Sequence, residues 1–414
     1  MAALVSDLGD STAALLLKGY TWLPDRLRRG GAGPVRTRLL GRPAVALHGP
    51  EAVGFFYDER NVRRRDALPG PVLDTLFGRG AVHTLDGEAH RVRKALFVER
   101  LTDAEAVSAL VERVREEWRR AFEARGGTVV LFDEAALVLA RAVSAWAGIA
   151  LSEAWTRRLA RDAVAMVDGF ATPGPRHLRA RVARLRQQRR IERLVNRRRS
   201  HGDGPGPAPT VLSAVTWHRD ADGRLLDART AAVELLNVVR PTVAIAWFVT
   251  FAAHALHRWP EHRDRLADEP AYALAFAHEV RRFYPFAPFL GGLAARDTTW
   301  QGTPVPEGTM LLLDVYGHNH DPALWPDPYH FHPDRFLGRA PGADEMIPQG
   351  GGDAATGHRC PGEDITVAVL KALSAELATL DHTVPDQDLR ISLRRIPARP
   401  RSGFRMTLGG PGGR

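Results

Sequence analysis

A single cysteine in 414 residues removes two ways of holding a chain together. A lone thiol closes no internal disulfide and completes no multi-cysteine zinc site. The fold must rest on its apolar core, and the thiol stands free for chemistry. Its setting is specific. Cys360 follows the run Gln349-Gly350-Gly351-Gly352-Asp353-Ala354-Ala355-Thr356-Gly357-His358-Arg359, and Pro361-Gly362-Glu363 and an apolar stretch over 365–380 come after it. This pattern predicts a thiol close to a helix N-terminus, where amide dipoles and neighbouring basic charge favour the thiolate. A thiolate so placed is a nucleophile or a metal ligand, and its neighbours leave both open. The glycines let backbone approach something flat or large.

Composition narrows the class. Hydrophobic residues are 44% and charged residues 25%, the balance of a globular domain, and the one cysteine fits a reducing cytoplasm. Residues 1–18 show no basic segment followed by an apolar core, so neither a signal peptide nor an anchor is expected. No run comes near the roughly 20 apolar residues that span a bilayer. The net charge is +9, with arginine concentrated over 176–199. Aromatic residues do not interleave these charges as base stacking would require, so they read as a solvated helix face rather than a nucleic-acid surface. Steering of anionic substrates toward an entrance is the other role open to them.

Apolar spacing of three and four predicts helices over 103–125, 133–146, 152–170, 179–199, 227–258, 270–284 and 364–380, with Asp227 as an N-cap. Strand-like runs are few: 43–47, 298–301, 310–315 and 404–408. The expected fold is mainly α with a small β region. It forms one domain over 1–414, with a surface loop over 201–209 and a flexible tail over 409–414.

Two further motifs lie upstream of the cysteine. Glu279 and Arg282, at i and i+3, share a helix face and can pair. Arg335 follows within Phe331-His332-Pro333-Asp334-Arg335-Phe336. In this order, and leading into the glycine-rich loop, the set resembles the cytochromes P-450 from about residue 60 to residue 408. The resemblance implies that Cys360 is the axial thiolate of a haem b iron, and that Glu279, Arg282 and Arg335 are a structural triad on the haem's proximal side. It also implies propionate partners in His358, in His90 and Lys94, and in Arg64. The family usually has Arg where this chain has Lys94, a departure that keeps the cation.

The loop before His358 is longer than the family's usual form, as in its subgroup of hydrogen-peroxide-using fatty-acid peroxygenases. The predicted helix 227–258 carries the same resemblance. Oxygen-activating members place an acid and then Thr in its middle; here the run is Asn237-Val238-Val239-Arg240-Pro241-Thr242. A helix-interior proline costs about 3 kcal/mol and kinks a helix, and a buried arginine without an anion is costlier still. Both are explained if Arg240 receives a fatty-acid carboxylate, which then also serves as the acid–base group that splits peroxide. Pairing of Arg240 with Glu234 or Asp297 is the alternative. His83 falls where the subgroup has Gln or His near the substrate β-carbon. There it can donate a proton or stabilise a charged intermediate, and a histidine goes with more decarboxylation to 1-alkenes. Phe77 packs against it, and Val167, Phe170 and Phe289 match acyl-channel positions. Catalytic roles thus fall to Arg240, Pro241 and His83, with no obligatory redox partner. A dioxygen- and reductase-dependent monooxygenase and a non-enzymatic haem- or nucleic-acid-binding protein are the other readings. The pairs His318/His320 and His330/His332 have metal-ligand spacing but lie inside the segment before Arg335, and no second metal is expected.

Overall fold

The computed structural model describes residues 9–31, 34–122, 126–170, 172–202, 204, 206 and 210–409. The predicted tail lies outside the described residues beyond Gly409, as do residues 1–8 and parts of the predicted loop 201–209.

The fold is built around one helix, Ala228–Arg258. Asp227 Oδ1 caps it by accepting from Thr230 N at 3.0 Å. It is buried on every side over most of its length, which marks a helix wrapped by others. Helices Leu131–Trp146, Glu153–Gly169, Pro175–His201 and Glu363–Thr379 all pack on it. By length and composition it could cross a membrane, with a mean hydropathy of 1.6 over its most apolar window, but 94% of that window is buried in the fold. It is the one such helix among the described residues. The helix runs on through Pro241 without a break in its assignment.

A five-stranded sheet flanks the helices, in the order Val35–Leu39, Arg42–Leu47, Met310–Asp314, Phe289–Ala294, Val62–Arg63. Only the pairing of Arg42–Leu47 with Met310–Asp314 is parallel, with Ala44 opposite Met310. A three-stranded sheet joins Gly127–Val130, Arg405–Leu408 and His382–Thr383. The mainly helical fold with small sheets is the one expected. All seven predicted helices form, most within a residue or two of their predicted ends. The arginine-rich helix starts earlier than predicted, at Pro175–His201, because Pro175 is pre-set for the first turn and Gly202, at φ 73°, ends it.

Among the elements that escaped the periodicity, two shape the cavity. Helix Gly87–Leu101 turns His90, Arg93 and Lys94 inward, so its buried face is partly polar. Strand Phe289–Ala294 carries Gly291 and Gly292, and a Cβ at Gly292 would lie 2.4 Å from Val62 Cγ1 and 2.6 Å from Arg64 Nη1. That glycine makes room for a buried arginine.

Below the central helix the expected triad forms. Arg282 donates from Nε and Nη2 to the two oxygens of Glu279, each at 2.7 Å, and from Nη1 to the carbonyls of Asn319 and Pro328. Arg335 Nε lies 3.3 Å from Glu279 Oε2, and the His332 amide donates to Oε1 at 2.8 Å. Glu279 and Arg282 are fully buried, so every contact is needed to offset their desolvation.

Burial holds the imidazoles of His254, His278, His318 and His320 down to about 4. In the unfolded chain each titrates near 6.5. Between these values the unfolded chain binds protons that the folded chain refuses. Their contribution to stability is therefore complete above pH 6.5 and lost as pH falls toward 4. Each can remove up to about 1.4 kcal/mol per pH unit in that window. His48 runs the other way, because Asp314 and Asp321 outweigh its burial. The net expectation is a Tm that falls steadily between pH 7 and pH 5. Scanning calorimetry across that range checks it, and a flat Tm would contradict it.

Candidate active site

A cavity of about 970 Å³ opens between the central helix above and the cysteine loop below. Cys360 lies on its floor, two residues before the last turn-forming glycine, Gly362, that caps helix Glu363–Thr379. The glycine loop works by close approach. Gly350 and Gly352 sit at φ 97° and 69°, and a Cβ on Gly350 would come within 2.3 Å of Tyr57 Oη. Gln349 ties the loop down: its carbonyl accepts from Cys360 N at 3.2 Å, its amide donates to Thr366 Oγ1 at 3.0 Å, and its Oε1 accepts from Arg281. Glu363 bridges Arg281 and Arg359 just behind the thiol. The expected balance at the thiol is only partly met. Burial pushes the Cys360 thiol up, and the Gly362 amide and Lys94 oppose this without overturning it. Desolvation outweighs the amide dipoles here, so a bound cation is needed to hold the thiolate.

One corner of the cavity gathers the other expected haem residues. Arg64 is buried, with Nη2 donating to Phe56 O at 3.0 Å and Nη1 without a partner. His90 and His358 stack with ring centroids 3.8 Å apart, and His90 Nδ1 and His358 Nε2 have no hydrogen-bond partner. Burial holds His90 down to about 4 and pushes His358 lower still. Lys94 Nζ donates to Arg359 O at 2.5 Å, with burial drawing its pKa down to about 8. Buried donors left open above a cysteine are what the carboxylates of a haem would satisfy, so the residues fit that cofactor.

The upper wall holds the second set. Arg240 is 6% exposed and faces the cavity. Its one hydrogen bond runs from Nη2 to Asn237 Oδ1 at 3.2 Å, and Nε has no partner. Burial and the nearby Arg184 draw its pKa down to about 9. Neither proposed internal partner takes it: Asp297 accepts from Glu307 N, and Glu234 accepts from Arg93, Asn237 and Val82 N. Thr242 Oγ1 is turned back to Val238 O at 2.8 Å. Pro241 lines the cavity beside Arg240. His83 lies against Phe77, ring centroids 4.4 Å apart, with Nδ1 unpartnered. Burial, then Arg240, holds its pKa down to about 3. Burial and the Arg240 charge thus favour the neutral imidazole at His83. Val167, Phe170 and Phe289 all line the cavity. No Asp or Glu lines it among the described residues.

Sequence reasoning missed Arg184. It was one arginine among many, yet it is 3% exposed and donates to the carbonyls of Leu76 and Phe77, fixing the loop that leads to His83. Arg186 and Arg199 of the same helix are likewise committed, to Asp162 and to the Thr216 and Leu226 carbonyls, so the helix is less a solvated face than expected. His318 and His320 bond backbone carbonyls instead of gathering as metal ligands.

A sequence model of the cytochrome P-450 family matches residues 260–395. The whole fold is similar to the solved structure of cytochrome P450SP alpha (CYP152B1), with a TM-score of 0.92 at 42% identity over 96% of this chain and 98% of that one. It is similar to cytochrome P450EX alpha (CYP152N1) with myristic acid, with a TM-score of 0.91 at 38% identity over 96% of both chains. It is also similar to a variant of cytochrome P-450 OleT in complex with arachidonic acid, with a TM-score of 0.92 at 36% identity over 97% of both. Curated relatives align over less: cyclooctat-9-en-7-ol 5-monooxygenase of Streptomyces melanosporofaciens is 26% identical over 52% of this chain and 50% of that protein. Mitochondrial cytochrome P-450 4e5 of Drosophila mettleri is 27% identical over 35% of this chain and 31% of that protein. The chain thus spans between about a third and a half of the length of these curated relatives.

Cys360→Ala should abolish the thiolate signature in the absorption spectrum of the reduced carbon monoxide complex while far-ultraviolet circular dichroism stays unchanged. An unaltered spectrum would remove Cys360 as the ligand.

Proposed function

The chain belongs to the cytochrome P-450 family, with CYP152 members similar to it over nearly its whole length, and on that footing we propose a hydrogen-peroxide-driven oxygenase acting on long-chain fatty acids. It hydroxylates them at Cα and Cβ, and loss of the carboxyl group to give 1-alkenes is a second output. The observation that carries this reading is the lining of the cavity: a buried arginine with no anionic partner, and no Asp or Glu among the described lining residues. The only acid that can work there arrives with the substrate.

Each residue then has a task. Cys360 would ligate the haem iron, and His358, His90, Lys94 and Arg64 would hold the propionates. When bound, the haem supplies the oxidising chemistry, and the thiolate tunes it. Arg240 takes the substrate carboxylate in its open fork, which restores the interaction that burial removed from the guanidinium. With the head group fixed, Cα and Cβ are the carbons brought to the reacting region, so position selects product. The carboxylate held at Arg240 takes a proton from one peroxide oxygen and returns it to the other, a role for which the described lining offers no carboxylate of its own. Pro241 leaves the Asn237 carbonyl without its usual helical donor and sets the local course of the helix beside Arg240. His83, neutral and packed on Phe77, bounds the space beside Cβ as a hydrogen-bonding wall. Val167, Phe170 and Phe289 receive the acyl chain.

Peroxide brings both the oxygen and the oxidising equivalents, so this reading needs no obligatory redox partner, and we place the enzyme in the cytoplasm. The dioxygen-dependent alternative requires an acid before the threonine of the central helix, and Pro241 stands there instead.

Peroxide added to the purified protein with a series of saturated acids, followed by mass-spectrometric product analysis, tests the proposal. Arg240→Ala should lower turnover of these acids at least about 30-fold, from the roughly 2 kcal/mol floor for losing one partner of a buried charged pair, with haem content intact. Full activity of the variant without an added short carboxylic acid would contradict the mechanism.

A further inference from the structure

Behind Arg240 lies a row of polar side chains that the mechanism does not use. Glu234, Asn237 and Arg240 are three residues apart along the central helix and hydrogen-bond in sequence. Glu234 is fully buried and is not among the residues that line the cavity. Its Oε1 accepts from Arg93 Nη1 at 2.7 Å and from Val82 N at 2.8 Å, and its Oε2 accepts from Asn237 Nδ2 at 3.2 Å. Arg93 continues the row outward, gripping Asp220 with Nε and Nη2 at 2.8 and 2.5 Å. Asp220 is 31% exposed, so the row begins near the surface and ends at the cavity.

Resting on the functional reading above, we propose that Glu234 is the positioning residue that registers His83 against Arg240 and keeps Arg240 open for the substrate carboxylate. Two contacts make the argument. The Val82 amide, held by Glu234, opens the turn Val82–Thr84 that carries His83. The Asn237 amide, also held by Glu234, faces Arg240. An ionised carboxylate only accepts hydrogen bonds, so Asn237 must point its NH2 at Glu234 and its oxygen at the guanidinium. One buried anion thereby orients both groups that bound the substrate head.

Charge explains why Asn237 stands between them. Arg93, Arg184 and Arg240 are buried positive groups, whereas Glu234 and Asp220 are the negative groups beside them. Both lone-pair sites of Glu234 Oε1 are taken, and Asn237 covers Oε2 with a neutral amide. The carboxylate therefore reaches Arg240 only through Asn237 and does not pair with it. One positive charge is left over, at the place where a substrate anion can meet it.

Glu234→Gln in the haem-loaded enzyme tests this. A glutamine NH2 would meet the Asn237 NH2, forcing Asn237 to turn and present a donor to Arg240. Calorimetric titration with tetradecanoic acid should show a Kd weaker by about tenfold, ~1.4 kcal/mol, and the ratio of Cα to Cβ products should shift. Asn237→Leu should weaken binding similarly, and the double variant should bind no more weakly than Asn237→Leu alone, because both act through one row. A variant that melts at a lower temperature with unchanged Kd and product ratio would overturn the proposal. If Glu234→Gln does not fold, Asp220→Asn at the exposed end should give a smaller change in the same direction, and no change would overturn it. A wild-type chain that binds no tetradecanoic acid would overturn the functional reading itself, and this one with it.

Discussion

Arg240 is buried in the central helix with a single neutral hydrogen-bond partner. Taking a guanidinium out of water without an anion costs several kcal/mol, and proteins ordinarily avoid it. The surrounding structure is arranged to withstand that cost rather than to cancel it. Glu234 stands one side chain away, occupied by Arg93 and by the Val82 amide. Arg184, a second buried cation, is spent on the Leu76 and Phe77 carbonyls. The cavity wall offers no carboxylate among its described residues. A site kept in this condition has more to gain from a carboxylate ligand than from any neutral one.

The lower side of the molecule follows the opposite rule. Glu279 accepts from Arg282 and the His332 amide and pairs with the charge of Arg335, and the remaining Arg282 donor is met by two carbonyls. Every charge there has an opposite charge against it, which suits a group that only has to hold the chain in place. Breaking a buried network of this kind by removing one partner typically costs about 3–5 kcal/mol. Charge pairing thus separates the scaffold from the site: Arg282 and Arg335 both face the Glu279 carboxylate, whereas Arg240 bonds only the neutral Asn237 and keeps a buried nitrogen without a partner.

Much of this was legible in the chain. The cysteine loop, the Glu279–Arg282–Arg335 order and the Arg240-Pro241 pair are rare combinations, and each proved to lie where its residue types required. What stayed hidden had physical reasons. Helix Gly87–Leu101 carries a polar inward face, because its partners are ionic rather than apolar, and so lacks the usual period. Arg184 cannot be told from its solvated neighbours until burial is known. Glu234 appeared as a rival partner for Arg240, and only the distances show that Asn237 separates them. The state of His83 and of the Cys360 thiol depends on desolvation, which the composition of a loop does not reveal.

The central claim is that Arg240 selects ligands by charge. It is tested most directly by measuring the affinity of the wild-type enzyme for a saturated fatty acid and for the primary alcohol of the same chain length. The two share the acyl channel and differ at the head group alone. The account predicts that the acid binds tighter by at least about 30-fold, the equivalent of roughly 2 kcal/mol for completing a buried charged pair. Equal affinity for acid and alcohol would contradict it.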